Sequence, residues 1–369
     1  RKMKEEKYTC DICHEEHDVS ELTYFDESYL CENCLRLETF ICRDCGDRHW
    51  NDDSADGDLC QTCYDEDYVR CERCDAVIHY DDACYHEDEE YHDHPYCRDC
   101  FDMDEIIHDY YYKPEPIFYG DGPRYLGVEL ELDDGGENEF CASKLLEIAN
   151  NGCERMYIKH DGSLDDGFEC VTHPMTLDYH INQMPWRAIL NKAVAKGYLS
   201  HQAGTCGLHV HISRNALGAN YEEQEATIAK ILYFYEKFWN EILTFSRRTE
   251  SQAEHWARRY GGGIINPKET LKHAKNSHMG RYAAVNLENE ATIEMRIFRG
   301  TLKYNTFIAT LQMVDEICKV AISLSDEFMQ SLTWLDFVKD IPTEKIELIN
   351  YLKEKRLYVN EPIRNEVEI

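Results

Sequence analysis

An α+β fold, in which an antiparallel sheet carries helices on one face and follows a run of small cysteine-held modules, is what this 369-residue sequence predicts. Three observations predict it. Six Cys-x-x-Cys pairs fill the first hundred residues, three later segments alternate apolar and charged residues, and stretches with apolar residues at three- and four-residue spacing lie between those segments. At roughly 100–200 residues per domain the chain has room for one sizeable core and a smaller module. The expected division is ribbons at about 8–36, 40–66 and 69–103, a linker at 104–123, a main domain at 124–324 and a C-terminal helical extension at 325–369.

Twelve of the eighteen cysteines form the pairs Cys10/Cys13 with Cys31/Cys34, Cys42/Cys45 with Cys60/Cys63, and Cys71/Cys74 with Cys97/Cys100. The two pairs of a unit stand 17, 14 and 22 residues apart, seven residues separate each unit from the next, and the unit periods are 32 and 29 residues. Such constant linkage favours sequential ribbons over interleaved pairing. A tight turn with two residues between its cysteines brings both sulfurs to one tetrahedral ion, and a second turn closes the shell, so three structural Zn²⁺ ions are expected. Four thiolates leave no open coordination position, which points to a structural role. The third unit also holds His79, Cys84, His86, His92 and His94, which read either as a solvated polar loop or as a further metal site.

Charge narrows the function. The chain carries −33, of which residues 1–110, with 34 Asp/Glu and 10 Lys/Arg, supply −24. Loading three four-thiolate sites takes that segment to about −30. Nucleic-acid affinity comes largely from basic neutralisation of phosphate, so a nucleic-acid partner is not expected. No run reaches the roughly 18 apolar residues of a membrane span, and the charged start Arg1–Lys7 precedes no apolar signal region, so a soluble cytoplasmic protein without a membrane partner is expected.

Behind the Pro-containing stretch Lys113–Pro123, three segments share one pattern. Val128, Leu130 and Leu132 alternate with Glu129 and Glu131; Leu208, Val210 and Ile212 with His209 and His211; Ile293, Met295 and Ile297 with Glu294 and Arg296. A solvated strand face ordinarily carries Thr, Ser and Lys, whereas these faces carry carboxylates, imidazoles and a guanidinium, which are hard-metal ligands and a phosphate binder. Asp161-Gly162-Ser163 reads as a turn leading to a short strand bearing Glu169. Helices are expected over roughly Ala142–Asn150, Ile181–Ala195, Tyr221–Arg248 and Asn305–Ser323. One sheet face then meets the helices and the other opens over a carboxylate-lined cleft.

The succession Gly127-x-Glu129-x-Glu131, Asp161–Ser163, Glu169–Pro174, Cys206–Ser213 and Tyr282–Leu302 resembles the amidoligases. These are carboxylate–amine ligases related to glutamine synthetase and glutamate–cysteine ligase, and are found often in phages and bacteria. The resemblance spans about residues 124–310 with the blocks in family order. It implies a glutamine synthetase-like curved antiparallel sheet that binds ATP and Mg²⁺, phosphorylates a carboxylate and lets an amine displace the phosphate. Carried over by motif, Glu129, Glu131, Glu169 and Glu294 would hold Mg²⁺, with Glu129, Glu131 and Glu294 also counted with Arg296 as catalytic. His209 would contact the nucleotide or the metal, His211 and Asp161 would contact the nucleotide, and Arg296 would stabilise the phosphoryl group in transfer. The segment Arg247–Gly263, with Arg247, Arg248, Arg258 and Arg259 before its glycines, reads as a lid with phosphate contacts or as a mobile loop. Relatives often carry an apolar, serine and proline arrangement after the position of Glu169, so Cys-Val-Thr-His-Pro here leaves the role of His173 open.

Phosphoryl transfer brings polyanionic ATP towards another anion, so carboxylate-held Mg²⁺ and a guanidinium suit it independently of any resemblance. Cys206 reads as a buried or loop cysteine and not a nucleophile, since this chemistry needs no thiol. A metal-dependent hydrolase would leave Glu294-x-Arg296 unexplained, no His-Glu-x-x-His helix is present, and a cupin would carry a Glu within Ile212–Gly218. The expected function is an ATP-dependent amide-forming ligase with carboxylate and amine substrates, its ribbons docking a protein or peptide. The alternative is a non-enzymatic zinc-ribbon interaction module with a vestigial ligase fold. From the charge alone, the zinc-loaded segment 1–105 should not retard duplex or single-stranded nucleic acid at physiological salt; salt-sensitive binding at micromolar affinity or tighter would show that a local basic patch outweighs the global field.

Overall fold

A computed structural model describes residues 7–85, 94–101, 105–261 and 266–359. The chain divides into two compact units, Arg1–Asp104 and Glu105–Ile369.

In the first unit the cysteine pairs come together as the four-residue clusters Cys10/Cys13/Cys31/Cys34, Cys42/Cys45/Cys60/Cys63 and Cys71/Cys74/Cys97/Cys100, the ligand atoms of each lying within 4.8 Å of one another. The Sγ atoms of Cys13 and Cys31 are 3.9 Å apart and those of Cys74 and Cys97 3.8 Å, near the roughly 3.8 Å edge of a tetrahedron with 2.3 Å zinc–sulfur bonds. Each first knuckle is a hairpin turn closed onto the carbonyl of its leading cysteine by His14, Gly46 or Asp75, all three with positive φ. Each second knuckle feeds a short helix, Glu32–Glu38, Gln61–Asp67 or Arg98–Phe101. Burial would raise the Cys10 and Cys42 thiols, but backbone N–H groups aimed at the sulfurs outweigh it and bring each down to about 6, as thiolate ligation requires. Apart from cysteines, the fully buried apolar side chains of the first two ribbons are Leu30 and Leu59, one in each. So little apolar material cannot offset chain entropy, and a bound ion is what would fold these units. In the third ribbon His79 Nδ1 accepts from Asp81 N at 3.2 Å, and His94 stands 3.9 Å from Glu72. His86 and His92 lie outside the described residues.

The second unit is α+β, built on a seven-stranded sheet. Its strands are β1 (Ile107–His108), β2 (Leu126–Leu132), β3 (Met156–Lys159), β4 (Phe168–Thr172), β5 (Leu208–Ser213), β6 (Val285–Asn286) and β7 (Thr292–Met295). They lie in the order β1-β3-β4-β2-β5-β7-β6, antiparallel except for the β1/β3 pair. The three alternating segments of the sequence are its adjacent central strands β2, β5 and β7. The segment expected as a linker supplies β1, then crosses the sheet, where Ile117 N donates to His173 Nδ1 at 3.1 Å and Tyr119 N to the Pro174 carbonyl at 3.0 Å.

Under the sheet lie α1 (Glu139–Asn150), α2 (Trp186–Ala195), α3 (Tyr221–Lys237), α4 (Tyr304–Ser323) and α5 (Ile346–Glu354). Two of the expected helices are broken. Ile181–Ala195 divides into Leu177–Asn182 and α2 because Pro185, lacking an N–H, cannot continue a helix. Tyr221–Arg248 divides at Phe238, which leaves helical geometry between α3 and the helix Trp239–Ser246; its apolar spacing runs on across the break, so periodicity alone does not reveal it. The 325–359 stretch packs onto this layer through α5, whose Leu348 N donates to Gln312 Oε1 at 2.8 Å. Among the described residues, no helix is long and apolar enough to cross a membrane.

An ion cluster pins α4 to the chain on either side of it. Asp315 accepts from Arg124 Nη2 at 2.7 Å and from Lys345 Nζ at 2.5 Å, and Lys345 also meets Glu316 at 2.7 Å. Burial would raise the Asp315 carboxyl, but Lys345 and Arg124 hold it below its ordinary 3.8.

Two outcomes are expected. Purified chain should contain about three zinc ions, one per cluster, by elemental analysis; one or none, with the cysteines oxidised in pairs, would exclude the assignment. Asp315→Asn should cost about 2 kcal/mol in denaturant unfolding, because it leaves the half-buried Arg124 without its carboxylate while, among the described residues, Lys345 keeps only Glu316. A carboxyl depressed by folding stabilises above its unfolded pKa and loses that effect as pH falls through the lower folded value, so the two proteins should converge only in acid below 3.8.

Candidate active site

Strand pleating builds the site. Successive side chains point to opposite faces, so Val128, Leu130, Cys170, Leu208, Val210, Ile293 and Met295 enter the core, each no more than 1% exposed. Their neighbours must share the other face. Register then pairs them: Glu129 lies opposite His209, Glu131 opposite Glu169, Lys159 opposite Glu169 and His211 opposite Glu294.

His209 Nδ1 stands 3.3 Å from Glu129, 3.7 Å from Glu131 and 3.6 Å from Glu294. His211 Nε2 is 3.0 Å from Glu129, Lys159 Nζ 3.2 Å from Glu169, and Arg296 Nη1 2.5 Å from Glu294. The other Glu294 oxygen accepts from Asn286 Nδ2 at 2.9 Å, and Glu131 accepts from the Gly207 N–H. Position 207 has to be glycine here, since a Cβ would collide with the His209 ring. Glu129, Glu131, Lys159, Glu169, His209, Asn286, Glu294 and Arg296 line a cavity of about 740 Å³, together with Asp161, Ser163, Arg248, Arg281 and the Tyr110–Tyr111 pair.

The carboxylates are unequal. Burial, reinforced by Glu129, pushes Glu169 well above the usual carboxylate range, and burial likewise raises Glu131. Glu129 would also rise on burial, but His211 and His209 hold it well below that range, and in return Glu129 raises His211 against its own burial. A site that pushes acids towards protonation is short of positive charge. Glu129, Glu169 and His209 can each offer one ligand atom within 4.8 Å of the others. Oxygen-rich donors with one imidazole fit a hard divalent ion.

Most of the residues picked from sequence meet here. Glu129, Glu131, Glu169, Glu294, Arg296, His209 and Asp161 all line the cavity, and His211 adjoins it through Glu129. Arg258 and Arg259 do not line it. Arg258 Nε bonds the Glu254 carbonyl, and Arg259 is paired with Glu236 at 3.0 Å, a local carboxylate that no motif links to it. Arg247 turns to the Arg299 carbonyl and the Tyr351 hydroxyl, so of that segment's arginines Arg248 alone is on the cavity wall. Arg248 is buried, with Nε on the Ile297 carbonyl at 3.1 Å and one Nη lacking a partner among the described residues. Burial drives it down to about 10. Gly262 and Gly263 of the expected lid lie outside the described residues. Asp161 accepts from Ser163 N at 2.7 Å and so shapes its own turn.

Sequence reasoning missed Lys159, Asn286 and Asp133. Tyr157 and Lys159 alternate with Met156 and Ile158, a signal too short to separate from chance. Asp133, 1% exposed, accepts from Asp166 N at 2.7 Å, Asp165 N at 3.2 Å and Thr205 Oγ1 at 2.6 Å, and thereby ties together the loops on two sides of the cavity. Nothing in the local sequence marks that long-range role.

No curated protein matches the chain. Among solved structures, a bifunctional glutathione synthetase from Pasteurella multocida is similar over 63% of this chain and 46% of its own, at 13% identity and a TM-score of 0.36. The chain thus spans less than half the length of that protein. Glu169, His209, Glu294 and Arg296 fall within residues 150–318, the part of the chain that matches a family described as "Putative amidoligase enzyme", which is the resemblance carried by the sequence blocks.

Proposed function

We propose that the sheet-bearing unit is an ATP-dependent carboxylate–amine ligase that forms an amide through an acyl phosphate. The observation that carries this reading is the convergence of Glu129, Glu131, Glu169, Glu294, His209 and Arg296 on one open sheet face, around a cavity of about 740 Å³. Mg²⁺, held by the four carboxylates with His209 beside them, would offset the charge of the phosphates. ATP and the substrate carboxylate repel one another, and the chain's cations answer that repulsion. Arg296 spends one Nη on Glu294, while its Nε has no partner among the described residues, so the guanidinium keeps a donor for the phosphoryl group in transfer. Arg248, also on the cavity wall, has one Nη with no partner among the described residues. Lys159 meets Glu169 at 3.2 Å, and His211 and His209 hold Glu129 in its charged form. An acyl phosphate hydrolyses readily, so the aromatic rim of Tyr110, Tyr111, Trp256 and Tyr282, exposed at its three tyrosines, would have to close over bound substrate to exclude water.

On this reading the sheet is a glutamine synthetase-like cradle, the ribbons recruit a protein or peptide substrate, and the enzyme works in the cytoplasm. A vestigial, non-enzymatic fold would have been free to lose the acids and the guanidinium; all are retained and in contact.

Glu129→Ala, Glu131→Ala and Glu294→Ala should each abolish Mg²⁺-dependent ATP turnover with little change in melting temperature, since each removes an acid from a crowded set. Normal turnover in all three would sink the ligase reading. Arg296→Lys should bind ATP nearly as well as wild type yet form ADP at least about 100-fold more slowly in a single turnover, because an ammonium lacks the planar fork. Arg299→Lys, off the cavity wall, should have little effect. Lost ATP affinity with an unchanged rate at saturation would make Arg296 a ground-state contact only.

A further inference from the structure

A second group of cations gathers outside the lining of the first cavity, where the end of the helix Trp239–Ser246 meets α5 and the chain around His201. Arg247, at the left-handed C-cap of that helix (φ 68°), and Arg248 are consecutive but diverge. Arg248 lines the cavity, whereas Arg247 reaches the Tyr351 hydroxyl on α5 at 3.3 Å and the Arg299 carbonyl. Lys355, the C-cap of α5, holds its ammonium 5.3 Å from the centre of the Tyr351 ring, and the Arg247 guanidinium stands 5.9 Å from the same ring. Arg299 belongs to this corner too. Its backbone N–H donates to the Ser246 carbonyl at 3.0 Å, and the adjacent Gly300 packs so closely on Ser200 that a Cβ would collide with the hydroxyl, which brings His201 alongside.

What this corner lacks is an anion. Among the described residues Arg247, Arg299 and Lys355 make no ion pair, and Glu354, whose charge acts on Arg247, already meets Lys303 at 3.3 Å. Burial lowers the His201 imidazole below its ordinary value, and Arg299, Arg247 and Lys355 lower it further, so the ring is neutral beside three uncompensated charges. Hydrogen bonds are missing as well: Arg247 Nε, Arg299 Nε and His201 Nδ1 are each buried without a partner among the described residues. Buried donors are ordinarily satisfied, and three orphans in one corner ask for a shared acceptor. Water would answer the hydrogen bonds but leave the charge. A carboxylate would cover one of the three charges, whereas a phosphate dianion covers two and carries oxygens enough for both guanidiniums.

We propose that Arg247, Arg299, Lys355 and His201 form an anion site that takes a phosphate group, either the free ion or the phosphomonoester end of a larger ligand. The site is separate from the ligase reading, since none of these four side chains lines the phosphoryl-transfer cavity.

The probe is inorganic phosphate, titrated by calorimetry into the zinc-loaded full chain without nucleotide or Mg²⁺, at an ionic strength held constant with chloride. Phosphate should bind at least about tenfold more tightly than acetate, and Arg299→Gln and Lys355→Ala should each weaken it by at least about fivefold. The Arg299 side chain has no hydrogen bond or ion pair to lose among the described residues, so without phosphate Arg299→Gln should melt no lower than wild type. Phosphate should then raise the melting temperature of wild type and not of that variant. Arg296→Lys, in the first cavity, should keep its phosphate affinity within about twofold of wild type. Phenyl phosphate separates the two sources: tighter binding than phosphate assigns the site to a phosphomonoester, weaker binding to the free ion. Equal affinity for acetate, unchanged phosphate binding in both variants, or loss of phosphate binding in Arg296→Lys would overturn the assignment.

Discussion

The two-residue period of the strand, held in register across β2, β4, β5 and β7, is the constraint on which the second unit depends. Leu130 lies opposite Cys170 and Leu208, while Glu131 lies opposite Glu169 and Glu129 opposite His209, so one set of hydrogen bonds fixes both the core and the site. A slip of one residue would drive four carboxylates into the helix layer and turn the apolar set to solvent, a penalty far beyond the marginal stability of a domain. The core therefore enforces the geometry of the chemistry without touching it.

That geometry is electrostatically costly. Burial raises both Glu131 and Glu169 towards protonation, with Glu129 adding to the rise of Glu169, while the imidazoles beside Glu129 keep it charged. Register crowds the charges, but their imbalance is what gives the face an appetite for cations. The sheet supplies rigidity so that the imbalance cannot relax by moving the side chains apart, and the same rigidity would hold the proposed metal and phosphoryl contacts in place. Asp133 extends the frame to the flanking loops, where four donors converge on one buried carboxylate.

How much of this was legible depended on range. Cys-x-x-Cys turns and alternating strands are local, and both appear in the structure where the sequence puts them. The partners of Glu129 and Glu294 could be named because acids, imidazoles and a guanidinium occupied the polar half of a strand period. Lys159 and Asn286 sit on strands of four and two residues, too short for a period to speak. Arg258 and Arg259 illustrate the converse error: a cluster of basic residues suggests phosphate, but Glu236 and Glu254, one on α3 and one a single turn upstream, engage them first.

The ribbons lead to a different kind of consequence. Cysteines aside, Leu30 and Leu59 are the fully buried apolar side chains of two of them, so with zinc at the clusters their folding free energy would be chiefly a ligand-binding free energy. By mass action, such a module has no single melting temperature: its stability grows with the logarithm of free zinc and vanishes when the ion is withdrawn. Its folded fraction is therefore a property of the surrounding solution as much as of the sequence, and thiol oxidation or a competing chelator acts on it as directly as heat.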